Sequence, residues 1–275
     1  MMWTLEAWTN ALPLNKGVRI LALDAFGLLA FEKPAGTMTH PNKEGHISSG
    51  SLLAAPYDLK AEHYTLEDAL PGGDKRLFIL NRIDSPTSGI VLAAWKEEAA
   101  KSVRLAFKSE KVKKTYYAIV KGMPPSAAHL WVDRLKVVRK QGKHVRAQAG
   151  GGVLARTQVQ LIRPDANKLG LSLLKMYPLT GRTHQLRIQS SLRHCPILGD
   201  RTYGDFNFNR HIQKLIGTKR MFLHAAELEV PTPQGSFRVS SLLPESFNKV
   251  MDVNPDIKHA FAHPLVQPKN TSRRA

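Results

Sequence analysis

A short segment in the first third of the chain brings an acid and a base together at a turn. Arg82 and Asp84 follow an apolar run at residues 77–80 and precede turn-forming residues at 85–89, after which a second apolar run begins at Ile90. This order predicts a strand, a tight loop and a second strand, with the carboxylate held where the chain turns. A lone carboxylate acts as a nucleophile or general base only when it is ionised and oriented, and a nearby arginine favours both.

A second polar segment places donor groups at the start of a predicted helix. In residues 179–187 a glycine precedes four donor side chains, which are Arg182, His184, Gln185 and Arg187. The positive end of a helix and its free N–H groups favour phosphate or carboxylate. The segment offers Asp84 a better partner than Arg82 does, because residues two apart across a turn share a face only loosely. The residues alone leave it equally open that Asp84 only caps its loop.

The charge of the chain is strongly positive and unevenly distributed. Its 275 residues carry a formal net charge of +18, and the pI is about 10.1. Lysines and arginines crowd between residues 101 and 146, where acids are scarce. Neutralising phosphates releases counterions, so this charge predicts a polyanion partner. Together with the Asp84 loop, it favours a nucleic acid over a merely solvated basic surface.

Composition narrows the cellular setting and the cofactors. The chain is 43% hydrophobic with no apolar run near the ~18 residues of a membrane span, and its first residues lack a secretory pattern. We therefore expect a cytoplasmic protein without membrane contact. Cys195 is the single cysteine, and no two histidines or cysteines stand at metal-ligand spacing. No disulfide framework and no metal site are expected.

Periodicity and turn residues predict an α+β fold with a largely antiparallel mixed sheet and flanking helices and loops. Strands are predicted at 28–33, 77–80, 90–94, 115–120, 156–162, 171–177, 221–230 and 236–239, with a basic hairpin in 126–152. Helices are predicted at 64–70, 97–108, 180–192 and 244–250. The chain divides into an N-terminal extension at 1–27, a core domain at 28–251 and a C-terminal tail at 252–275.

Four separated segments together resemble the pseudouridine synthase family of the RluA type. They are residues 31–36, a strand that ends in Lys-Pro-x-Gly; 81–89, similar to a catalytic loop His-Arg-Leu-Asp-x-x-Thr-Ser-Gly; 113–122, a Lys-x-Tyr before a strand and glycine; and 180–188 with 196–200. The resemblance covers roughly residues 28–250. Because all four motifs occur in order, they are specific, and they imply that residues 28–251 are the catalytic domain.

The resemblance implies a reaction in which a uridine of RNA is detached at its glycosidic bond, rotated and rejoined through carbon, with no cofactor and no metal. It implies that Asp84 is the catalytic aspartate and that Arg182 pairs with it and keeps it ionised. Tyr116 would stack on the target base, and its hydroxyl can shuttle a proton. Whether Asp84 attacks the sugar, attacks the ring or acts as a base stays open.

The substrate implied is a structured RNA with an extruded base. A stacked base hides its glycosidic bond, so it must be flipped at a cost of a few kcal/mol, and Arg82 would hold the space that it leaves. The further candidates for RNA contact are Lys33, Lys113, Lys114, His184, Gln185 and Arg187. After Gly199 and Asp200, residues 201–210 are similar to the tRNA pseudouridine synthase C branch, which favours tRNA over rRNA.

Three positions depart from the family pattern, and one of them, Ile83 in place of the usual leucine, is a conservative apolar change. Asn81 stands where the family has a histidine, and a small polar side chain there can keep the backbone hydrogen bonds of the loop. Gln189 replaces a second histidine. A structural role for His184 is as well supported as RNA contact, and His224, inside an apolar strand, is expected to be a hydrogen-bonded core residue.

Two other function classes fit part of the pattern. One is a catalytically inactive RNA-binding protein on the same fold, but binding alone does not need Asp84, Tyr116 and Arg182 together. The other is a DNA-binding structural protein, which the chain fits poorly because it lacks a recognition-helix pattern. Nothing in the sequence marks a self-complementary apolar face, so a monomer is expected.

Overall fold

The computed structural model describes residues 4–68, 75–126, 128–139, 145–164 and 169–251. Within these ranges the helices are α1 (Leu5–Ala11), α2 (Glu97–Lys108), α3 (Gln185–Leu192), α4 (Phe206–Ile216) and α5 (Glu245–Met251). The strands are β1 (Arg19–Leu23), β2 (Leu28–Lys33), β3 (Tyr57–Asp58), β4 (His63–Thr65), β5 (Arg76–Ile79), β6 (Ser88–Ala94), β7 (Lys113–Lys121), β8 (Ala128–Arg139), β9 (Val145–Ala149), β10 (Val153–Arg163), β11 (Leu171–Pro178), β12 (Leu223–Thr232) and β13 (Gly235–Ser240).

All the strands described belong to one long sheet with helices packed on it. The main path runs β3-β4-β5-β6-β12-β7-β11-β10-β8-β9, with β2 and β1 branching from β6 and β13 from β12. Every named pairing is antiparallel except that of β6 with β12. The predicted α+β fold with a largely antiparallel mixed sheet is therefore confirmed.

The parallel pairing of β6 with β12 joins the two halves of the sheet next to the predicted catalytic loop. Ser88 and Gly89 face His224 and Ala225 across it. Gly89 has φ +113°, and a Cβ there would overlap the backbone of Ala225, so only glycine fits. His224 Nδ1 lies 2.8 Å from the Ser88 hydroxyl, and burial lowers the pKa of His224 to about 4. The structure thus makes His224 a neutral, hydrogen-bonded core residue, as predicted.

The N-terminal segment packs on the same core as the strands that follow it. Trp8 of α1 is completely buried, and its ring centroid lies 4.6 Å from that of Trp95. Strand β1 pairs antiparallel with β2. Residues 4–27 therefore contribute packing to the sheet. The proposed domain boundaries themselves stay a prediction, and the tail at 252–275 lies outside the described residues.

Two expectations about local structure have different outcomes. The basic hairpin predicted in 126–152 is confirmed, since β8 pairs antiparallel with both β9 and β10, although residues 140–144 of its turn lie outside the described ranges. The helix predicted at 64–70 is wrong in its described part, because Tyr64 lies in β4 and pairs with Tyr57 and Leu77. That short strand extends the sheet beside β5.

Candidate active site

The Asp84 loop is fixed by hydrogen bonds before any ligand is considered. The Asp84 carbonyl accepts from the Thr87 amide at 2.9 Å, which closes the turn. Ahead of it, the Asn81 amide oxygen accepts from the Leu92 amide at 2.6 Å, and its nitrogen donates to the Ile90 carbonyl at 3.4 Å. Asn81 thus keeps the backbone hydrogen bonds of the loop, as expected for a small polar residue in place of histidine.

Arg187, in the first turn of α3, is the partner of Asp84. Its Nη1 donates to Asp84 Oδ2 at 2.9 Å, while its Nε and Nη2 donate to the two oxygens of Asp200 at 2.7 and 2.9 Å. Burial would lower the pKa of Arg187, but hydrogen bonds and charge from Asp200 and Asp84 raise it above its ordinary value. The guanidinium is therefore a fixed positive charge that holds Asp84 Oδ2 in place.

Asp200 anchors this guanidinium from the far side. Its side chain is 1% exposed, and it accepts from the amides of Thr202 and Tyr203 as well as from Arg187. Burial would raise the pKa of Asp200, yet the bonds and charge of Arg187 hold it below its usual range. The sequence pattern Gly-Asp at 199–200 marked this residue as part of a motif, but its role as the anchor of Arg187 was not predicted.

Arg182 does not make the predicted ion pair with Asp84. It is exposed in the turn before α3, and its Nε donates to the Leu154 carbonyl at 3.0 Å. The prediction of this pair is wrong because α3 begins at Gln185, later than the sequence indicated. Arg187 therefore points inward from the helix, and Arg182 stays at the rim of the site.

Tyr116 and His184 complete the surroundings of the Asp84 carboxylate. Burial and the charge of Asp84 both raise the pKa of Tyr116, so its phenol keeps its proton at neutral pH. His184 has φ +54°, its Nδ1 lies 2.9 Å from the Tyr203 hydroxyl, and its Nε2 lies 3.8 Å from Asp84 Oδ1. Burial lowers the pKa of His184, which leaves it neutral. Asp84 Oδ1 is thus outside hydrogen-bond range of His184, while Oδ2 is held by Arg187.

A cleft of about 650 Å³ opens over this carboxylate. Its walls include Thr39, His40, Tyr116 and Leu223, and Asp84 lies at its floor with 26% of the side chain exposed. The volume falls within the range of roughly 300–1,000 Å³ that accommodates small-molecule groups. A single nucleotide is therefore compatible in size with the cleft.

Positive side chains stand around the mouth of the cleft. Arg82 is exposed, with its Nη1 3.4 Å from His40 Nε2, and Arg182 and Lys114 also line the cleft. Lys114 Nζ donates to the Thr180 carbonyl at 3.1 Å, and burial lowers its pKa to about 8. These three cations and the carboxylate below them form a site suited to a phosphate-bearing substrate.

Comparison with known proteins decides the family. The family model described as RNA pseudouridylate synthase matches residues 27–192, more than half of the chain. The chain belongs to this RNA pseudouridylate synthase family. It is therefore an isomerase enzyme whose substrate class is RNA, and the recognition made from the four sequence motifs is confirmed.

Individual relatives are similar over most of the chain. A Helicobacter pylori (strain J99) protein named Uncharacterized RNA pseudouridine synthase is 31% identical, covering 85% of this chain and 76% of its own. Two Vibrio cholerae proteins are each 30% identical over 75% of this chain: tRNA pseudouridine synthase C, covered to 82%, and Ribosomal large subunit pseudouridine synthase C, covered to 59%. The structure of Human RNA Pseudouridylate Synthase Domain Containing 1 shares the fold, with a TM-score of 0.62 at 22% identity over 97% of this chain and 93% of that one.

Two residues predicted to contact RNA are instead buried parts of the synthase scaffold. Lys33 is fully buried, and its ammonium donates at 2.6–3.1 Å to the carbonyls of Pro34, Thr37, Ser85 and Thr87. The Gln185 side chain is 4% exposed, and its oxygen accepts from the Thr180 hydroxyl and the Arg182 amide. Both side chains use their polar atoms for internal hydrogen bonds, and the RNA contacts of Lys33 and Gln185 stay predictions.

The other predicted contact residues separate by position. Lys113 is exposed but pairs with Glu229 at 3.3 Å and does not line the cleft, whereas its neighbour Lys114 does. Arg187 is buried and faces the two aspartates rather than solvent, so it acts on Asp84. Gln189 is also buried and donates to Asp133 at 2.7 Å, so the loss of the family histidine affects packing away from Asp84.

The described residues were also compared with the requirements of a metal site and of a membrane-spanning helix. Among them, no group of three or more histidine, cysteine, aspartate or glutamate side chains is arranged to hold a metal ion. Within the same ranges, no helix has the length and apolar character needed to cross a membrane.

Proposed function

We propose that this synthase converts a uridine of a structured RNA to pseudouridine with Asp84 as its catalytic residue. The observation that carries the proposal is the asymmetry of the Asp84 carboxylate at the floor of the cleft. Oδ2 is held by Arg187 at 2.9 Å, and Oδ1 has no hydrogen-bond partner among the described residues. An ionised, oriented carboxylate with one free oxygen is what a covalent or general-base step requires.

The reaction is an isomerisation, so its atoms balance within the substrate. The bond from the sugar C1′ to uracil N1 breaks, the ring turns, and a bond from C1′ to C5 forms. The hydrogen of C5 is lost and N1 gains one, so no oxidant, reductant or external leaving group is needed. Asp84 Oδ1 is the atom placed to attack the substrate or to take its proton, and Arg187 holds the other oxygen.

Extrusion of the target base follows from the depth of the carboxylate. Asp84 lies at the floor of a cleft of about 650 Å³, where a base stacked in a helix cannot reach it. Flipping costs a few kcal/mol. Stacking of the uracil on Tyr116 can return roughly 1–3 kcal/mol, and Arg82 at the mouth is placed to fill the space left in the RNA.

Phosphate contacts at the rim supply the remaining affinity. Lys114, Arg182 and Arg82 surround the mouth of the cleft, and each phosphate they neutralise releases condensed counterions. In this proposal Arg182, which the sequence predicted as the partner of Asp84, contacts RNA instead, and His184 is held by its contact with Tyr203. Lys113 would act only outside the cleft.

A tRNA substrate is favoured over rRNA. The tRNA-named and rRNA-named Vibrio cholerae relatives are equally identical to this chain, so identity does not separate them. Coverage favours the tRNA-named protein, 82% of which is matched against 59% of the other. The resemblance at residues 201–210 is weaker support for a tRNA substrate. Asn209, one of the residues that carry it, holds the local backbone by accepting from the Gly199 amide and donating to the Asp200 carbonyl.

The proposal is tested by mapping pseudouridine in total RNA from cells with and without the gene. We expect one tRNA position to lose its mark, to regain it with the wild-type gene and to stay unmarked with Asp84→Asn. For the purified enzyme, Asp84→Asn should lower the turnover rate by at least about 100-fold. Asp68→Asn is the matched control, because Asp68 is an exposed aspartate that lines neither cleft.

Other outcomes separate the parts of the proposal. Loss of a mark in rRNA would keep the reaction and overturn the tRNA substrate. Full activity of Asp84→Asn would overturn the catalytic role of Asp84. If no position changes in any RNA although the protein binds RNA, the chain is an inactive RNA-binding protein on the same fold.

A further inference from the structure

A second cleft lies on the other side of the Asp84 loop. Its volume is about 910 Å³, and it is bounded by α4, by residues 198–202 and by residues 218–222. Ser85 and Arg187 line both clefts. The two are therefore neighbours separated only by the loop that carries Asp84, so that a strand with one nucleotide in the first cleft can continue into the second.

All the charged residues that line the second cleft are positive. The lining contains the cations Arg187, Arg201, Arg210, Lys219 and Arg220 and no aspartate or glutamate. Arg187 is already neutralised by Asp84 and Asp200. Four cations are left without a carboxylate in the cleft, which is the charge pattern that a polyanion complements.

Arg220 is the clearest case of a cation in this cleft without a carboxylate partner among the described residues. It is half-buried and donates only to neutral groups, at 2.6 Å to the Ser88 hydroxyl, at 3.3 Å to the Ser246 hydroxyl and at 3.1 Å to the Met221 carbonyl. No ion pair joins it to a carboxylate of the described residues. Burial lowers the pKa of Arg220 to about 10, so it is still charged at neutral pH. Burying a charge without a counter-ion is unfavourable, and a bound phosphate would supply one.

An exposed aromatic ring stands beside these cations. Phe206 is the first residue of α4, lines the cleft and is 56% exposed. The helix start is fixed by Asp205, whose side chain accepts from the Phe208 amide at 2.9 Å and pairs with Lys121 at 2.6 Å. A fixed, exposed ring next to free cations suits an unpaired base attached to its phosphate.

We propose that the second cleft binds the RNA strand that flanks the target uridine. Arg201, Arg210 and Lys219 contact its phosphates, and Phe206 stacks on a neighbouring base. Arg220 provides the positive floor. The inference rests on the proposed function for the position of the uridine, and it deepens that function by placing the adjoining nucleotides on α4.

The phosphate contacts are tested by binding of a fluorescein-labelled single-stranded oligouridylate to the full chain at several salt concentrations. The variant is Arg201→Ala/Arg210→Ala/Lys219→Ala. The control, Arg19→Ala/Lys101→Ala/Arg238→Ala, removes the same charge from side chains that are each 72% exposed and line neither cleft. We expect weaker binding and a salt slope smaller by about two for the cleft variant, because each single-strand phosphate contact contributes about 0.7, while the control variant keeps the wild-type slope.

The stacking contact is tested with the same probe. Phe206→Leu keeps an apolar residue without a ring, and we expect it to raise Kd by about 5- to 150-fold, which corresponds to roughly 1–3 kcal/mol per stacked base. Phe206→Tyr keeps a ring and should bind like the wild type. Leu215→Ala, at another exposed position of α4 that does not line the cleft, reports any effect of the helix alone.

The binding and kinetic results test the second cleft separately from the proposed reaction. Equal binding by the cleft and control triple variants, together with wild-type binding by Phe206→Leu, would overturn the inference. Pseudouridine formation in unfractionated tRNA from cells lacking the gene should show a raised KM and an unchanged kcat for the cleft triple variant. Weak binding by this variant with no product from the wild type would overturn the reaction and keep the second cleft as an RNA site.

Discussion

At the scale of single residues, Arg187 holds the Asp84 carboxylate in a fixed orientation. Arg187 donates two hydrogen bonds to Asp200 and one to Asp84 Oδ2. Asp84 is thereby held by one oxygen only, and its other oxygen has no hydrogen-bond partner among the described residues. A guanidinium has the planar, forked shape that this arrangement needs, whereas an ammonium is a point charge.

Arg187→Lys should separate charge from geometry. The lysine keeps a positive charge but cannot bridge Asp84 and Asp200 in the same plane. We expect kcat to fall at least about 100-fold and the free energy of unfolding to fall by roughly 2–4 kcal/mol. Kinetics of pseudouridine formation and urea unfolding measure the two effects. Arg182→Lys is the matched control and should change stability by less than about 0.5 kcal/mol; a larger loss of kcat in this control would return the partner role to Arg182.

Lys114 should give RNA binding a pH dependence near neutrality. Burial lowers its pKa to about 8, the charge of Glu110 partly offsets this, and the charge of Arg182 adds to it. The ammonium is present below that pH and loses its proton above it, so RNA affinity should weaken as the pH rises through about 8. Fluorescence anisotropy with the oligouridylate measures this. Lys114→Arg stays charged and should bind with little change over the same range; an equal decline in both proteins would place the effect on another group.

At the scale of elements, Lys33 joins two loops that the sequence places far apart. Its four carbonyl acceptors lie in the turn after β2 and in the loop before β6. The shape of the Asp84 loop thus depends on a buried lysine in the first motif, whose pKa burial lowers to about 7. The sequence motif predicted a lysine at this position, but it could not show whether the Lys33 side chain points toward RNA or into the protein.

Lys33→Met should therefore act on the loop and not on RNA affinity. Methionine fills a similar volume but leaves the four carbonyls without their donor. We expect the free energy of unfolding to fall by roughly 2–4 kcal/mol, since hydrogen bonds to charged groups contribute about 1.5–3 kcal/mol each before the cost of burying the charge is subtracted. Thermal or urea unfolding measures the loss. Oligouridylate affinity of the folded variant should match the wild type, and a selective loss of affinity would show that Lys33 contacts RNA.

Sequence patterns recovered most of the sheet and placed Asp84 at a turn between two strands, because turn residues and alternating apolar residues are local signals, whereas Tyr116 was named only through the family resemblance. They failed where the outcome depended on tertiary contacts. The start of α3 at Gln185, rather than near 180, decides which arginine faces Asp84. The helix α4 was not predicted, although Asp205 at its start and Gly217 at its end are ordinary capping residues. That omission also concealed the second cleft.

At the scale of the whole molecule, the N-terminal segment is part of the hydrophobic core. Trp8 is completely buried against Trp95, Leu12 and Val18 share the same apolar cluster, and β1 extends the sheet from β2. Packing of this kind cannot be inferred from a segment with weak periodicity, because the partner residues lie many positions away along the chain.

Trp8→Ala should destabilise the entire protein while leaving the active-site residues intact. Truncation of a buried tryptophan costs about 3–5 kcal/mol, a large part of the roughly 5–15 kcal/mol that stabilises a domain. Urea unfolding should show one transition shifted to lower denaturant. Trp8→Phe keeps a ring and should lose less. An unchanged midpoint for Trp8→Ala would mean that α1 detaches without affecting the sheet.

The pairing of Asp84 with Arg187 also sets when activity can begin during synthesis. The two residues are 103 positions apart along the chain. At about 5–20 residues per second, the ribosome needs roughly 5–20 s to add the arginine after the aspartate. Strand β12, which closes the parallel seam beside Gly89, comes later still. The Asp84 carboxylate of the growing chain therefore has no partner until Arg187 has been added, and the site is not complete before β12 has also been synthesised.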